Sequence, residues 1–158
     1  MAIEAVRIDG RLIHGQVANL WTTQLGITRI MVVDNSVAEN DIEKAGLKLA
    51  CPAGVKLSVL PIEKAAANIN AGKYNSQKVF LIARKPEVLL KLIELGVPIK
   101  AINVGNMSQT EETRSLSKSI NVTDYDIKIF EELNKRGIKL TARMVPSEPE
   151  SDFMKLLK

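Results

Sequence analysis

The residue of this 158-residue sequence best suited to nucleophilic chemistry is its single histidine, His14. Asp9 and Arg11 precede it, and Gly15 follows it at the predicted start of a helix. Unpaired N–H groups at a helix N-terminus attract anions, and the guanidinium of Arg11 adds donors for phosphate oxygens. The helix dipole disfavours an imidazolium there, while Asp9 either accepts from an imidazole N–H or holds Arg11. The spacing therefore predicts an anion site at which a neutral imidazole attacks a phosphoryl donor.

The composition excludes several other classes of site. One histidine cannot build a multi-histidine metal site, and one cysteine, Cys51, allows neither an intrachain disulfide nor a cysteine cluster. We therefore expect no metal and no cofactor. Cys51 lies at a predicted helix end without basic neighbours, which favours a small packed residue over a nucleophile.

The charge and hydropathy patterns predict the environment of the chain. The formal net charge is +4, but the basic residues are scattered and aromatic residues are only 4%, which argues against nucleic-acid binding. The surplus suits an acidic protein surface or phosphate, and solubility explains it equally well. No apolar run approaches the ~20 residues of a membrane span. A single thiol and no signal peptide predict a cytoplasmic protein.

Short apolar runs alternate with helical patterns along the whole chain. The runs predict strands over residues 3–9, 30–33, 55–60, 79–82, 99–104 and 138–143, and the parity of Leu116, Ile120 and Val122 adds an edge strand or strand pair. This alternation predicts the α/β class: one open, doubly wound, mostly parallel sheet of about seven strands, with helices on both faces. We expect residues 138–143 to be the final strand, and Pro146 and Pro149 to end the packed domain.

Helical spacing also predicts which faces are apolar. Val17, Leu20, Trp21 and Leu25 fall on one face of the first helix, and we expect Trp21 and Leu25 in the core. In the same way Ile42, Ala45 and Leu49 mark a later helix.

In open α/β sheets, functional groups lie beyond the carboxyl ends of the strands. The rule places a group of residues after the 99–104 strand beside the histidine loop, namely Gly105, Asn106, Met107 and Ser108. Ser108 either donates to phosphate or is a turn hydroxyl, and Asp34 either borders the site or caps a helix. We expect Arg84 and Lys85, at another strand end, to be solvated. Arg7 lies within a strand, where a buried guanidinium must be paired, which predicts a structural role.

The segment from Arg7 to Val17, RIDGRLIHGQV, resembles the signature of the IIB component of the mannose/fructose/sorbose family of the sugar phosphotransferase system. The resemblance continues in segments 33–35, 102–107, 122–123 and 142–146, and so covers the chain. It implies a single IIB domain over residues 1–158.

The resemblance also implies a mechanism. His14 is expected to accept a phosphoryl group on Nδ1 from a phosphohistidine of a IIA protein, and to pass it to a sugar that enters through the IIC and IID membrane subunits. The chain would then be a transferase at the inner face of the membrane, without membrane insertion of its own. Asp9, Arg11, Gly15 and Gln16 carry over as the loop that shapes the site. Because residue 3 already begins a strand, we expect IIA on a separate chain or domain. Leu12 and Ile13 are natural contacts for IIA, and the alternative for one of them is to plug the core.

Two alternatives to a phosphoryl carrier use the same fold. One is a regulatory module that binds IIA without forwarding phosphate, against which the intact Arg11, His14 and Gly15 argue. The other is a nucleotide-binding domain, but the sequence has neither a Gly-x-Gly-x-x-Gly fingerprint nor a Gly-Lys-Ser/Thr loop. The sequence leaves mannose, fructose, sorbose and amino sugars open as substrates.

Overall fold

The computed structural model describes residues 2–157, apart from the side chain of Gln16. Its nine strands are β1 (Ile3–Asp9), β2 (Arg29–Val33), β3 (Lys56–Leu60), β4 (Val79–Ala83), β5 (Ala101–Asn106), β6 (Arg114–Ser115), β7 (Asn121–Val122), β8 (Lys139–Ala142) and β9 (Ser151–Asp152). Its seven helices are α1 (Gly15–Leu25), α2 (Asn35–Ala38), α3 (Asp41–Ala50), α4 (Ile62–Asn70), α5 (Pro86–Glu94), α6 (Asp124–Lys135) and α7 (Phe153–Leu156).

Seven of the strands form one sheet in the order β3-β2-β4-β1-β5-β8-β9. All neighbours in it are parallel except β8 and β9, which are antiparallel. Strands β6 and β7 form a separate strand pair, which is one of the two arrangements that alternate-residue parity left open. The predicted fold class, a mostly parallel doubly wound sheet, is confirmed.

The sheet separates two hydrophobic clusters, because successive side chains of a strand point to opposite faces. In β2, Met31 and Val33 enter one cluster, whereas Ile30 and Val32 enter the other. Helices α4, α5, α6 and α7 contribute to the first cluster, and α1, α2 and α3 to the second. The second cluster takes no side chain from β5 or β8, so its helices cover only part of that face.

The predicted end of the domain is wrong, whereas the helix predicted from Ile42, Ala45 and Leu49 is confirmed as α3. Residues 138–143 are not the final strand, since β9 and α7 follow. Phe153 of α7 is fully buried, and its ring centroid lies 4.4 Å from that of Phe130. The packed domain therefore extends past Pro149. The face of α3 that carries Ile42 and Leu49 points to solvent, and the buried residue of this helix is Leu47. Trp21 is buried as expected, whereas Leu20 is half exposed.

The topology brings three strand ends together. Strands β1, β5 and β8 are neighbours in the sheet, and their carboxyl ends lie at one edge. The chain leaves β1 toward β2 on one side, and leaves β5 toward β8 on the other. Divergent connections of this kind open a crevice at the edge of the sheet, and the loop with His14 begins there.

Candidate functional site

His14 is the residue immediately before α1, in an extended conformation (φ −140°, ψ 112°). Its side chain is exposed and makes no capping hydrogen bond to the helix. The first turn of α1 contains no acidic residue, and Gly15 at its start is exposed and has no side chain. The imidazole therefore stands beside a helix N-terminus whose backbone donors face no carboxylate from the first turn.

The loop before His14 is anchored by its apolar residues. Leu12 and Ile13 are both buried in the second cluster, so they are not the IIA-contacting surface predicted for them. Leu12 adopts a left-handed conformation (φ 59°), and its N–H donates to the carbonyl of Asp9 at 3.0 Å. A branched residue pays about 1–2 kcal/mol for this conformation, and burial of its side chain offsets that cost. The tight turn and two buried side chains hold His14 at the surface.

Asp9 holds Arg11 and makes no hydrogen bond to His14. One carboxylate oxygen of the fully buried Asp9 accepts from the backbone N–H of Arg11 at 2.9 Å and from its Nε at 3.4 Å. The Arg11 side chain remains 34% exposed. Of the two roles predicted for Asp9, the geometry supports the one in which it positions Arg11. A guanidinium that is tethered at Nε and about one-third exposed can still present a terminal nitrogen to phosphate oxygens.

Arg7 neutralises the same carboxylate from within the sheet. Its Nε and one terminal nitrogen lie 3.3 Å from the other oxygen of Asp9, and both side chains are only 2% exposed. Its second terminal nitrogen donates to the Asn103 side chain and to the Arg143 carbonyl. Burial lowers the pKa of the Arg7 guanidinium from its ordinary value, and the charge of Asp9 opposes that effect. The predicted paired, structural role of Arg7 is confirmed.

Two glycines allow this close packing. A Cβ at Gly105 would overlap the guanidinium of Arg7, so only glycine fits beneath it. A Cβ at Gly10 would lie 2.7 Å from the hydroxyl oxygen of Ser108, and the Gly10 N–H donates to the Asn106 carbonyl at 2.9 Å. The end of β5 therefore lies against the histidine loop, which places the Ser108 hydroxyl beside it as the sheet rule predicted.

Other predicted site residues have different positions. Met107 is buried in the first cluster, so its side chain packs in the core and does not line the site. Asp34 caps α2, accepting from the Val37 N–H at 2.9 Å, and its strand is separated from β1 by β4. The side chain of Gln16 lies outside the described part of the chain. Arg84 and Lys85 are not simply solvated, because each forms an ion pair. A terminal nitrogen of Arg84 lies 3.9 Å from a carboxylate oxygen of Glu43, and Lys85 Nζ lies 3.7 Å from a carboxylate oxygen of the buried Asp126.

The segment after β8 completes the site, and sequence reasoning assigned it no role. The Met144 sulfur lies 3.6 Å from terminal nitrogens of both Arg7 and Arg11, and its carbonyl accepts from the Trp21 indole at 3.0 Å. The Arg143 guanidinium lies 5.1 Å from the Trp21 ring centroid, within cation–π range. The signal that could have found these residues is their position directly after the last parallel strand.

Unpaired polar atoms concentrate at this edge of the sheet. Among the described side chains, three buried atoms have no hydrogen-bond partner: Asn106 Oδ1, Arg84 Nε and Arg143 Nε. They lie at or directly after the ends of β5, β4 and β8. Because buried polar groups are normally paired, these three atoms mark this edge as a candidate site.

Within residues 2–157, no group of three or more His, Cys, Asp or Glu side chains is placed to hold a metal ion. In the same part of the chain, no helix has the length and apolar character that a membrane crossing requires.

Comparison with known proteins identifies the family of the chain. The family model described as "PTS system sorbose subfamily IIB component" matches residues 3–158. The chain belongs to this IIB family of the sugar phosphotransferase system. It is 37% identical to the fructose-specific EIIB component of Bacillus subtilis, over all of this chain and 97% of that one. It is also 37% identical to the mannose-specific EIIAB component of Escherichia coli, over 99% of this chain and 49% of that protein.

A solved structure extends the comparison to the fold. The IIBSor domain of the sorbose permease of Klebsiella pneumoniae superposes with a TM-score of 0.95 at 33% identity, and the match covers 99% of this chain and 96% of that one. Membership of the IIB family means a transferase role in phosphotransferase sugar transport. The predicted resemblance to this family is thus confirmed.

Proposed function

We propose that this IIB chain carries a phosphoryl group on His14, taking it from a phosphohistidine of a IIA protein and passing it to a sugar. The observation that carries the proposal is the exposed imidazole at an open helix N-terminus, next to a guanidinium held by a buried carboxylate. Phosphoryl transfer needs a positioned nucleophile and charge stabilisation around the moving group, and this arrangement supplies both.

In the first step, an imidazole nitrogen of His14 forms a bond to phosphorus while the phosphorus–nitrogen bond of the donor histidine breaks. The family resemblance assigns this role to Nδ1. In the second step, a sugar hydroxyl oxygen forms the new bond to phosphorus while the phosphorus–nitrogen bond to His14 breaks, and the released imidazole takes up the hydroxyl proton. The Arg11 guanidinium, the helix N-terminal N–H groups and the Ser108 hydroxyl bind the phosphoryl oxygens in both steps.

The partners follow from this chemistry. The donor is a phosphorylated IIA protein or domain, and the covalent EIIAB form named for the Escherichia coli relative supports this pairing. The acceptor sugar comes through IIC and IID membrane subunits, which hold this chain at the cytoplasmic face of the membrane. Relatives of similar identity are named for fructose, mannose and sorbose. We therefore propose that the membrane subunits, and not the IIB fold, select the sugar.

The test of the carrier step is incubation of the purified chain with a phosphorylated IIA protein. We expect one acid-labile, base-stable phosphoryl group at His14, and none in His14→Ala, which keeps its fold because this side chain is exposed. Label that persists in His14→Ala would contradict the assignment.

The role of Arg11 is tested by the single-turnover rate of the same transfer. Arg11→Ala should keep its fold, because Asp9 retains Arg7 and the backbone N–H of residue 11 as partners, and should transfer phosphate at least about tenfold more slowly. An unchanged rate would remove Arg11 from the mechanism.

Forwarding of phosphate separates a carrier from a regulatory IIA-binding module. Phosphorylated chain added to membranes that contain IIC and IID, with a panel of labelled sugars, should release sugar phosphate and regenerate free His14. Stable phosphorylated chain with no sugar phosphate from any member of the panel would favour the regulatory module.

A further inference from the structure

Helix α3 presents an apolar ridge to solvent. Ile42 is 85% exposed and Leu49 is 88% exposed. They lie seven residues apart, which brings them to within about 20° of each other around the helix axis. Two small exposed residues, Ala45 and Gly46, lie between them. Apolar side chains this exposed, aligned on one helix face, are typical of an interaction surface.

The charges along α3 are complementary to those of a second, reversed copy. Asp41 and Glu43 occupy its first turn, and Lys48 its last turn. Asp41 and Lys48, also seven residues apart, lie on the same flank of the ridge. A two-fold axis perpendicular to the helix near Ala45 places Asp41 of each copy opposite Lys48 of the other. At the crossing point Ala45 and Gly46 let the two helices approach closely.

An apolar hollow next to the ridge offers room for the opposing side chains. The hollow has a volume of about 550 Å³ and lies between α3 and β3, the edge strand of the sheet. Its apolar lining includes Ala45, Pro52, Val55 and Leu57, and two lysines, Lys44 and Lys48, border it. One helix therefore carries a ridge and an adjacent hollow, as an isologous contact requires.

We propose that α3 is a self-association surface, on which two copies of this chain pair antiparallel through Ile42 and Leu49, with Asp41 of each copy facing Lys48 of the other. This inference is independent of the phosphoryl role of His14. The contact of one ten-residue helix and its border is smaller than the ~1,600 Å² of a standard interface, so the dimer is weak and exchanges rapidly.

The experiment is sedimentation equilibrium of the whole chain at low salt, over protein concentrations from about 10 µM to about 1 mM, a range suited to weak association. We expect a concentration-dependent monomer–dimer equilibrium. Leu49→Lys should raise the dissociation constant at least about tenfold. Leu95→Lys is the matched control, because Leu95 is another exposed leucine at the C-terminal end of a helix, but α5 packs on the other face of the sheet. It should leave the dissociation constant unchanged.

A charge exchange tests the antiparallel register. Asp41→Lys and Lys48→Asp should each weaken the dimer about fivefold or more, since each replaces two attractions with two repulsions. The double variant should recover most of that loss. A chain that is monomeric throughout, a dimer indifferent to Leu49→Lys, or a double variant without recovery would each overturn the proposal. Circular dichroism of each variant checks that the fold is intact.

Discussion

Gly105→Ala is the substitution that best tests how the site is built. The new Cβ would occupy the space of the Arg7 guanidinium, so Arg7 must move. Arg7 is only 2% exposed, and it neutralises Asp9, which is equally buried. Displacing the guanidinium therefore breaks a buried ion pair and leaves the carboxylate with only its Arg11 contacts.

The magnitude follows from these contacts. Removing one partner of a buried ion pair costs about 3–5 kcal/mol, and overpacking a filled site costs about 1–3 kcal/mol. The two costs are not added, because movement of Arg7 away from the new methyl group removes the steric clash. We expect a loss of about 3–5 kcal/mol in the free energy of unfolding, which lowers the Tm by roughly 6–20 °C for a domain of this size.

The assay is urea unfolding followed by the fluorescence of Trp21, the only tryptophan, whose ring centroid lies 5.4 Å from the Arg7 guanidinium. Gly46→Ala is the control, because a Cβ there meets no atom within 4 Å and the residue lies inside α3. It should raise the free energy of unfolding by about 0.5–1 kcal/mol. Measurements at micromolar protein keep self-association out of the comparison. A loss below about 1 kcal/mol for Gly105→Ala would refute the view that Arg7 is fixed by its surroundings.

Three further predictions concern other parts of the chain. Thr123→Ala should lower the free energy of unfolding by about 1 kcal/mol, because it removes half of the cap of α6. In that cap the Asp126 N–H donates to the Thr123 hydroxyl and the Thr123 N–H donates to the Asp126 carboxylate, each at 3.0 Å. Equal urea midpoints of the variant and the parent chain would contradict this. Phe153→Ala should cost about 3–5 kcal/mol, since its buried ring packs on Phe130, and a loss near zero would show that the C-terminal segment is not part of the core. Burial raises the pKa of the Cys51 thiol and so lowers its thiolate fraction. Iodoacetamide should therefore alkylate Cys51 at pH 8 more slowly than it alkylates free cysteine, with a rate that climbs as the pH passes the raised pKa; equal rates would disprove the shift.

Much of the site could be predicted because its central part is local in sequence. His14 follows the first strand and opens the first helix, so strand and helix periodicity alone place it at the carboxyl edge of the sheet. The paired role of Arg7 was also predictable, since a guanidinium within an apolar strand needs a partner. The partners themselves were not: Asn103 and the Arg143 carbonyl lie 96 and 136 residues further along the chain.

The features that the sequence left open or misplaced have a related cause. Helical spacing shows that Ile42 and Leu49 share a face, but it does not show whether that face meets the sheet, because a partner molecule would leave the same pattern. Leu12 and Ile13 appeared to be surface residues because they lie in a loop, yet a turn with a left-handed Leu12 directs both into the second cluster. Met107 follows a strand end, but its bridge to Ile120 carries it into the core.

By itself, the amino-acid sequence determined the order of strands and helices, the α/β class and the single imidazole at a helix start, because these depend on periodicity and on neighbouring residues. Only the tertiary structure decided which residues of distant strands surround Asp9, which face of α3 is exposed, and that the chain after Pro149 closes the core. These features depend on contacts between segments far apart in the chain, whose pairing is settled by packing the whole sheet at once.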